Sequence, residues 1–157
     1  MRLPPLLALL AAGGCAAGGP REAAPRFLEG EARDPDLASW HVHVDARDRL
    51  LGAYTITLRY DPKVAVIESI EPCGVRHFKG SPEYDPKTFT TGVTRVTSLD
   101  AFPSRRPDNE YHLLTVTFRR TGPGRLEATA EIDRLYDADN KAIRGRIGAP
   151  AFSHAFP

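Results

Sequence analysis

Apolar and polar residues alternate one by one along much of this chain. Residues 40–45 and 54–60 place an apolar side chain at every second position. A period of two is typical of a β-strand with one buried face. The alternation therefore predicts two strands, with Ile56 and Leu58 facing the core. Thr57 lies on the opposite phase, so we expect it to face outward and to contribute little to stability.

Further strand-like segments follow at regular spacing, separated by Gly/Pro turns such as Thr121–Gly124. In one of them Val116 and Phe118 are expected in the core, with Thr117 outside. Residues 73–90 are polar and fit only short strands. The strand-like segments are 64–70, 91–99, 114–118, 126–132 and a short pair within 142–156.

No segment shows a sustained 3.6-residue period, and the segment 101–110 is typical of an exposed loop. Strands at regular spacing without helices favour two packed antiparallel sheets. The predicted fold class is therefore all-β, an antiparallel two-sheet sandwich of jelly-roll type. We expect a single domain over residues 37–157.

The first fifteen residues have the features of a signal that directs a protein to a membrane. Arg2 precedes an apolar run, Leu3–Ala12, that is too short to span a bilayer but suits an export signal. Small residues then lead directly into Cys15, a pattern that resembles a bacterial lipobox. The resemblance implies acylation of Cys15 and cleavage before it. An ordinary secretory signal cut nearby and an uncleaved anchor are the alternatives.

This pattern divides the chain into a signal peptide at 1–14, a lipidated Cys with a flexible linker at 15–36, and the sandwich. The linker is mostly Ala, Gly, Pro and charged residues, with Phe27 and Leu28 as its only large apolar residues, and buries too little apolar surface to order itself. We expect a protein anchored in the bacterial cell envelope with its domain in the periplasm or outside the cell. Ala16 rather than Asp follows the Cys, which favours the outer membrane if the source has one.

The charge balance is close to neutral, with 21 Lys and Arg against 20 Asp and Glu in 157 residues. Loss of the signal peptide removes Arg2 and leaves the two signs equal. A balanced surface predicts no binding to nucleic acid and no polybasic contact with anionic lipid. The membrane contact would then rest on the acyl chains. Cys73 has no partner for a disulfide and is read as a small buried residue or a reactive thiol.

Three segments resemble cohesin domains. Gly52–Val64 is an alternating strand that runs into Tyr-Asp-Pro, Leu113–Arg119 is similar to a late cohesin strand, and Leu135–Ile143 is similar to the family's final acidic turn. The resemblance implies a jelly roll that docks another protein. Carbohydrate-binding modules share this kind of sandwich, so the fold leaves the ligand open.

The sequence departs from the cellulosomal members of that family. Cohesins that hold dockerins carry polar Asn and Asp residues on the strand before Tyr-Asp-Pro, at positions occupied here by Ala53 and Thr55. Neither residue supplies a carboxylate or amide. The resemblance therefore implies a docking scaffold without the dockerin-binding residues.

His41 and His43 have the spacing of two metal ligands on one strand face. A third ligand for Zn or Cu would have to come from His77, His112 or His154. Two solvated imidazoles opposite a buried Trp are the alternative interpretation.

Asp137 and Asp139 supply oxygen atoms at alternating positions, as at the start of a calcium loop. An EF-hand needs Gly at the sixth position and Glu at the twelfth, where this chain has Ala142 and Gly148. A looser Ca²⁺ site that includes Asp133 stays open beside the simpler interpretation, a hairpin turn. No other cofactor is expected.

Tyr84, Phe89 and Phe102 lie in loop-rich segments where exposed rings would stack on sugars. The alternative is that these rings hold the loops against the sandwich.

The sequence carries no nucleophile elbow, paired-carboxylate motif, phosphate-binding Gly loop or Cys-His arrangement. We therefore expect a protein that is not an enzyme. The leading hypothesis is a lipid-anchored module that docks another exported or envelope protein through one sheet face. A carbohydrate-binding module associated with polysaccharide binding or breakdown is the alternative, and a metal-binding periplasmic lipoprotein is a third hypothesis.

Overall fold

The computed structural model describes residues 34–72, 78, 80–100 and 110–157. Within these residues the chain forms eight strands and a short 3₁₀ helix, and no helix there is long and apolar enough to cross a membrane. The strands are β1 (Leu37–Asp45), β2 (Leu51–Tyr60), β3 (Ala65–Pro72), β4 (Val93–Leu99), β5 (Tyr111–Arg120), β6 (Arg125–Asp137), β7 (Arg146–Ile147) and β8 (Ala151–Ala155). The 3₁₀ helix covers Pro86–Thr90.

Two four-stranded sheets make up the fold. Sheet A has the order β3-β5-β1-β7 and sheet B the order β4-β2-β6-β8, and every pairing is antiparallel. Consecutive strands belong to different sheets throughout, so every connection crosses the sandwich. The predicted all-β sandwich of jelly-roll type is confirmed.

The core lies between the two sheets. Ile56 and Leu58 of sheet B and Val116 and Phe118 of sheet A are fully buried, which confirms the predicted strand phase. At the edge of the core the ring of Trp40 stacks on that of Phe152 with 5.8 Å between centroids.

Thr57 faces outward as predicted, yet its side chain is only 9% exposed. Its hydroxyl donates a hydrogen bond of 2.9 Å to Oδ2 of Asp133. A bulge in β6 opposite Thr55 and Ile56 turns Asp133 toward this hydroxyl. These surroundings lead us to predict a larger contribution of Thr57 to stability than the strand phase alone indicates.

The segment 73–90 differs from the short strands expected there, because its described part contains the 3₁₀ helix and only an isolated bridge from Glu83 to Thr97. Asp85 caps the helix by accepting from the Lys87 amide at 3.0 Å, and Pro86 opens it. The buried Tyr60 hydroxyl donates to the Phe89 carbonyl at 2.7 Å. Tyr60 of the Tyr-Asp-Pro motif thus ties this helix to the sandwich.

Candidate docking face

The outer face of sheet B carries Ala53 and Thr55, the two positions at which the sequence departs from dockerin-binding cohesins. We call this surface the docking face. Cross-strand partners on antiparallel strands share a face, so the register defines its members. They are Val93, Arg95, Thr97 and Leu99 from β4, Ala53, Thr55, Thr57 and Arg59 from β2, and Thr129, Glu131, Asp133, Arg134 and Tyr136 from β6.

One end of the docking face is apolar. Leu99 is paired with Ala53, which is paired in turn with Tyr136 on the other side. The Leu99 side chain is 68% exposed, an unusual position for a large aliphatic residue on a strand. This row offers apolar surface that a partner would remove from water.

The next row is uncharged on the β4 side. Thr55 and Thr97 lie opposite each other, and their hydroxyl oxygens are 3.2 Å apart. Each hydroxyl keeps capacity for a further hydrogen bond to a partner.

The remaining rows carry charges that pair within the face. Oδ2 of Asp133 accepts from Thr57 and from Nε of Arg95, each at 2.9 Å. Arg59 and Glu131 approach to 3.5 Å between Nε and Oε2. Exposed pairs of this kind add little to stability. Their effect here is that opposite charges lie side by side, so these rows present a balanced surface.

These features suit the face to non-covalent docking. An apolar row next to a hydroxyl row and a balanced charged rim matches the usual anatomy of a protein interface.

The histidines singled out in the sequence lie on the other sheet. His41 and His43 both point outward from β1 of sheet A, where His112 of β5 approaches their rings at 5.1 and 4.6 Å between centroids. The His43 and His112 rings are nearly parallel, so their nitrogens do not converge on one point. His41 and Thr115 are joined by a hydrogen bond of 3.0 Å. In the described part of the chain, no three His, Cys, Asp or Glu side chains are grouped to hold a metal.

Two of the three aspartates considered for calcium, Asp133 and Asp137, accept hydrogen bonds from protein donors. Asp137 ends β6, where Oδ2 accepts from Arg49 at 2.6 Å and Oδ1 accepts from the amides of Asp139 and Lys141. The Arg49 guanidinium, followed by the Lys141 amide, lowers the pKa of the Asp137 carboxyl. Asp133 belongs to the docking face instead. The geometry around Asp137 is that of a hairpin turn.

Tyr84 and Phe89 pack on each other and on the core, with 5.1 Å between ring centroids. The structure thus gives these rings the role of holding the loop to the sandwich. Phe102, His77, Cys73 and the lipidation candidate Cys15 lie outside the described residues.

Sequence reasoning missed the exposure of Leu99 and considered Asp133 only as a calcium ligand. The exposure of Leu99 had no clear signal, because β4 carries apolar residues on both phases, Val93 and Leu99 on one and Val96 on the other. Asp133 did have one: the consecutive polar pair Asp133-Arg134 breaks the alternation of β6, as a bulge does.

Comparison with known proteins gives structural matches but no sequence match. No family model matches the chain, and no curated protein matches it either. A non-cellulosomal cohesin from the archaeon Archaeoglobus fulgidus matches with a TM-score of 0.53 at 17% identity, over 69% of this chain and 73% of its own.

Two complexes give similar values. The complex of CaDoc0917 with CaCohA2 matches with a TM-score of 0.57 at 15% identity, over 70% of this chain and 83% of that chain. The Coh-OlpA–Doc918 complex of Clostridium thermocellum, a type I cohesin–dockerin complex, matches with a TM-score of 0.54 at 15% identity, over 72% and 84%. At such identities the likeness concerns the fold. The described β-sandwich has a cohesin-like fold.

Proposed function

We propose that this chain is a lipid-anchored protein of the bacterial cell envelope whose cohesin-like domain docks another exported protein without catalysis. The observation that carries the proposal is the docking face, with Leu99 exposed beside the Thr55–Thr97 row on a cohesin-like sandwich. The similar complexes support it, since one of them is a cohesin–dockerin complex.

The partner differs from cellulosomal dockerins. Ala53 and Thr55 offer no carboxylate or amide at the positions where dockerin-binding cohesins carry them. We therefore expect that a panel of cellulosomal dockerins does not bind at micromolar concentration. Tight binding of a dockerin would contradict this part of the proposal.

The anchor is Cys15 and the tether is the segment 15–36. A flexible chain of about 20 residues reaches roughly 25 Å root-mean-square, enough to clear lipid headgroups but not to cross an envelope compartment. The partner should therefore be attached to the same membrane or lie next to it. In cells fed labelled fatty acid, Cys15→Ala should abolish acyl labelling and leave the precursor uncleaved. Continued labelling of the variant would refute the anchor.

Crosslinking in the native envelope followed by affinity measurement tests the docking face. Leu99→Lys and Thr97→Lys each place a charge in the proposed interface and should weaken the captured complex about tenfold or more, as buried unpaired charges do. Thr117→Lys is the matched control, because it adds the same charge to the outer face of sheet A. Equal weakening by all three variants would place the interface elsewhere. Binding to a soluble polysaccharide with no protein partner would favour the carbohydrate-binding alternative.

A further inference from the structure

Strand β1 of sheet A has one edge that described strands cover only in part. On that side β7 pairs only with Val44 and Asp45 of β1. In the described part of the chain, the edge from Leu37 to Val42 has no strand partner.

The backbone groups along this edge point away from β5. The carbonyl of Asp36 accepts from the Arg120 amide at 2.8 Å, on the β5 side of β1. Backbone groups of alternate residues in a strand point to the same side, and those of the residues between them point to the other. Ser39 and His41 therefore direct their N–H and C=O groups to the open side, where an added strand would find them.

A groove of about 720 Å³ runs along this open edge. One wall comes from β1 and the residues before it, including Leu37, Ser39 and His41, and the other from β8 and the chain end, including Phe152 and Ala155. β1 belongs to sheet A and β8 to sheet B, so the groove lies at the open side of the sandwich. Side chains of an added strand would enter it at alternate positions.

The other sheet edges carry the devices that block strand addition. β3 has a bulge and ends in Pro72. The edge of β4 is bridged by Glu83 at Thr97. β8 has only five residues and follows Pro150. The segment Leu37–Val42 contains no Pro, Lys or Arg, and its pairing with β5 is regular as far as Val42, after which the register shifts. This edge therefore lacks such protection along its length.

The carboxylates just before the open edge are ion-paired. Asp34 lies 3.3 Å from Arg119, a guanidinium that Glu68 also binds at 2.8 Å, and Asp36 lies 3.8 Å from Arg120. The open edge itself contains no Asp, Glu, Lys or Arg. An occupant that complements this edge is therefore uncharged where it pairs with β1.

We propose that the open edge of β1 binds an extended, uncharged segment of a partner protein as an added strand, with apolar side chains at alternate positions in the groove. Backbone hydrogen bonds to Ser39 and His41 supply the pairing, and the groove selects side chains. This site is separate from the docking face and does not depend on the function proposed for it.

The probe is a capped heptapeptide that alternates threonine and valine, added to the full ¹⁵N-labelled protein and followed by amide chemical shifts. We expect shifts at Ser39 and His41 and slower hydrogen exchange of their amides, with no shift on β2 or β4. The same peptide with glutamate in place of valine should not bind.

Ser39→Pro removes the outward N–H and should weaken peptide binding about tenfold, as the loss of one or two hydrogen bonds predicts. Ser39→Ala keeps the N–H and should bind like the unchanged protein. If the Pro variant does not fold, exchange at Ser39 and His41 in the unchanged protein decides the question.

Three outcomes would overturn the proposal: protection of these two amides in the peptide-free monomer, a peptide-free dimer that pairs through β1, or shifts confined to Thr55 and Thr97. The first would mean that the edge is already covered, the second that a second copy is the occupant. The third would leave the docking face intact, which separates failure here from failure of the proposed function.

Discussion

Asp133 is the residue at which three strands of sheet B are joined on the docking face. It is contributed by the bulge of β6, and it accepts from Thr57 of β2 and Arg95 of β4 through one carboxylate oxygen. Because the Thr57 hydroxyl is nearly buried, its hydrogen bond replaces contacts with water that the side chain has lost. The arrangement of these side chains on the docking face thus depends on Thr57, a residue that the strand phase alone would place in solvent.

Thr57→Ala should lower the free energy of unfolding by about 1 kcal/mol, the usual net value of such a hydrogen bond. Thr117→Ala is the matched control on the outer face of sheet A and should change stability by less than about 0.5 kcal/mol. Urea unfolding of both variants measures the difference. Equal effects would mean that the Asp133 contact contributes nothing.

The turn between β1 and β2 contains two residues in the left-handed region. Arg47 and Asp48 have φ values of 53° and 61°, and the Arg49 amide donates to the Ala46 carbonyl at 3.2 Å. Two consecutive positive φ values define a turn in which Gly is favoured at the second central position.

Asp48→Gly should therefore stabilise the protein by roughly 0.5–1 kcal/mol, because Gly adopts this conformation without steric cost. Asp139→Gly is the control, since Asp139 itself has no positive φ, unlike its neighbour Asn140, and the change should be neutral or unfavourable. Thermal unfolding of the two variants gives the comparison. A loss of stability on Asp48→Gly would mean that the Asp side chain itself holds the turn.

At the scale of elements, the end of β6 is held by a single carboxylate. Asp137 bonds Arg49, which precedes β2, and the amides of its own turn at Asp139 and Lys141. These donors lower its pKa in the folded protein. A lowered pKa means that the carboxylate stabilises the fold above its ordinary pKa and that this contribution is lost as the pH falls through the lowered value.

Asp137→Asn should lower the midpoint of thermal unfolding near neutral pH, since the amide binds Arg49 more weakly. The gap between the two proteins should begin to narrow as the pH falls below about 4, where the carboxyl of the unfolded chain is protonated. Melting curves between neutral and acidic pH measure it, with Asp139→Asn as the exposed control. A gap that stays constant with pH would rule out the ionic contribution.

At the scale of the whole molecule, the strict alternation of consecutive strands between sheets makes one shared core. β2 pairs with β4 and β6, and β1 with β5 and β7, so both inner faces are assembled from distant parts of the chain. Neither sheet can bury its inner face without the other. The described sandwich should therefore unfold as one cooperative unit.

Leu58→Ala in sheet B should cost about 2–5 kcal/mol, and Phe118→Ala in sheet A about 3–5 kcal/mol, because both side chains are fully buried. Each should shift a single transition in circular dichroism and in fluorescence alike. Separate transitions for the two probes would show that the sheets unfold independently.

The strand phases of the fold could be predicted because a strand with one buried face imposes a period of two on its own residues. Ile56, Leu58, Val116 and Phe118 all obey it. The 3₁₀ helix at Pro86–Thr90 has no such period, because it is only five residues long and is held by a hydrogen bond from the distant Tyr60 hydroxyl. Its Asp85-Pro86 start was visible in the sequence but is shared by many turns.

The sequence by itself determined the all-β class, the core-facing residues and the cohesin resemblance of 52–64, because these depend on neighbours along one strand. Tertiary structure alone decided which outward residues meet: the convergence of Thr57 and Arg95 on Asp133, the exposure of Leu99 and the open edge of β1. The physical reason is that these features depend on strand order and register. Pairing between strands joins residues that are far apart in the sequence and that no local pattern connects.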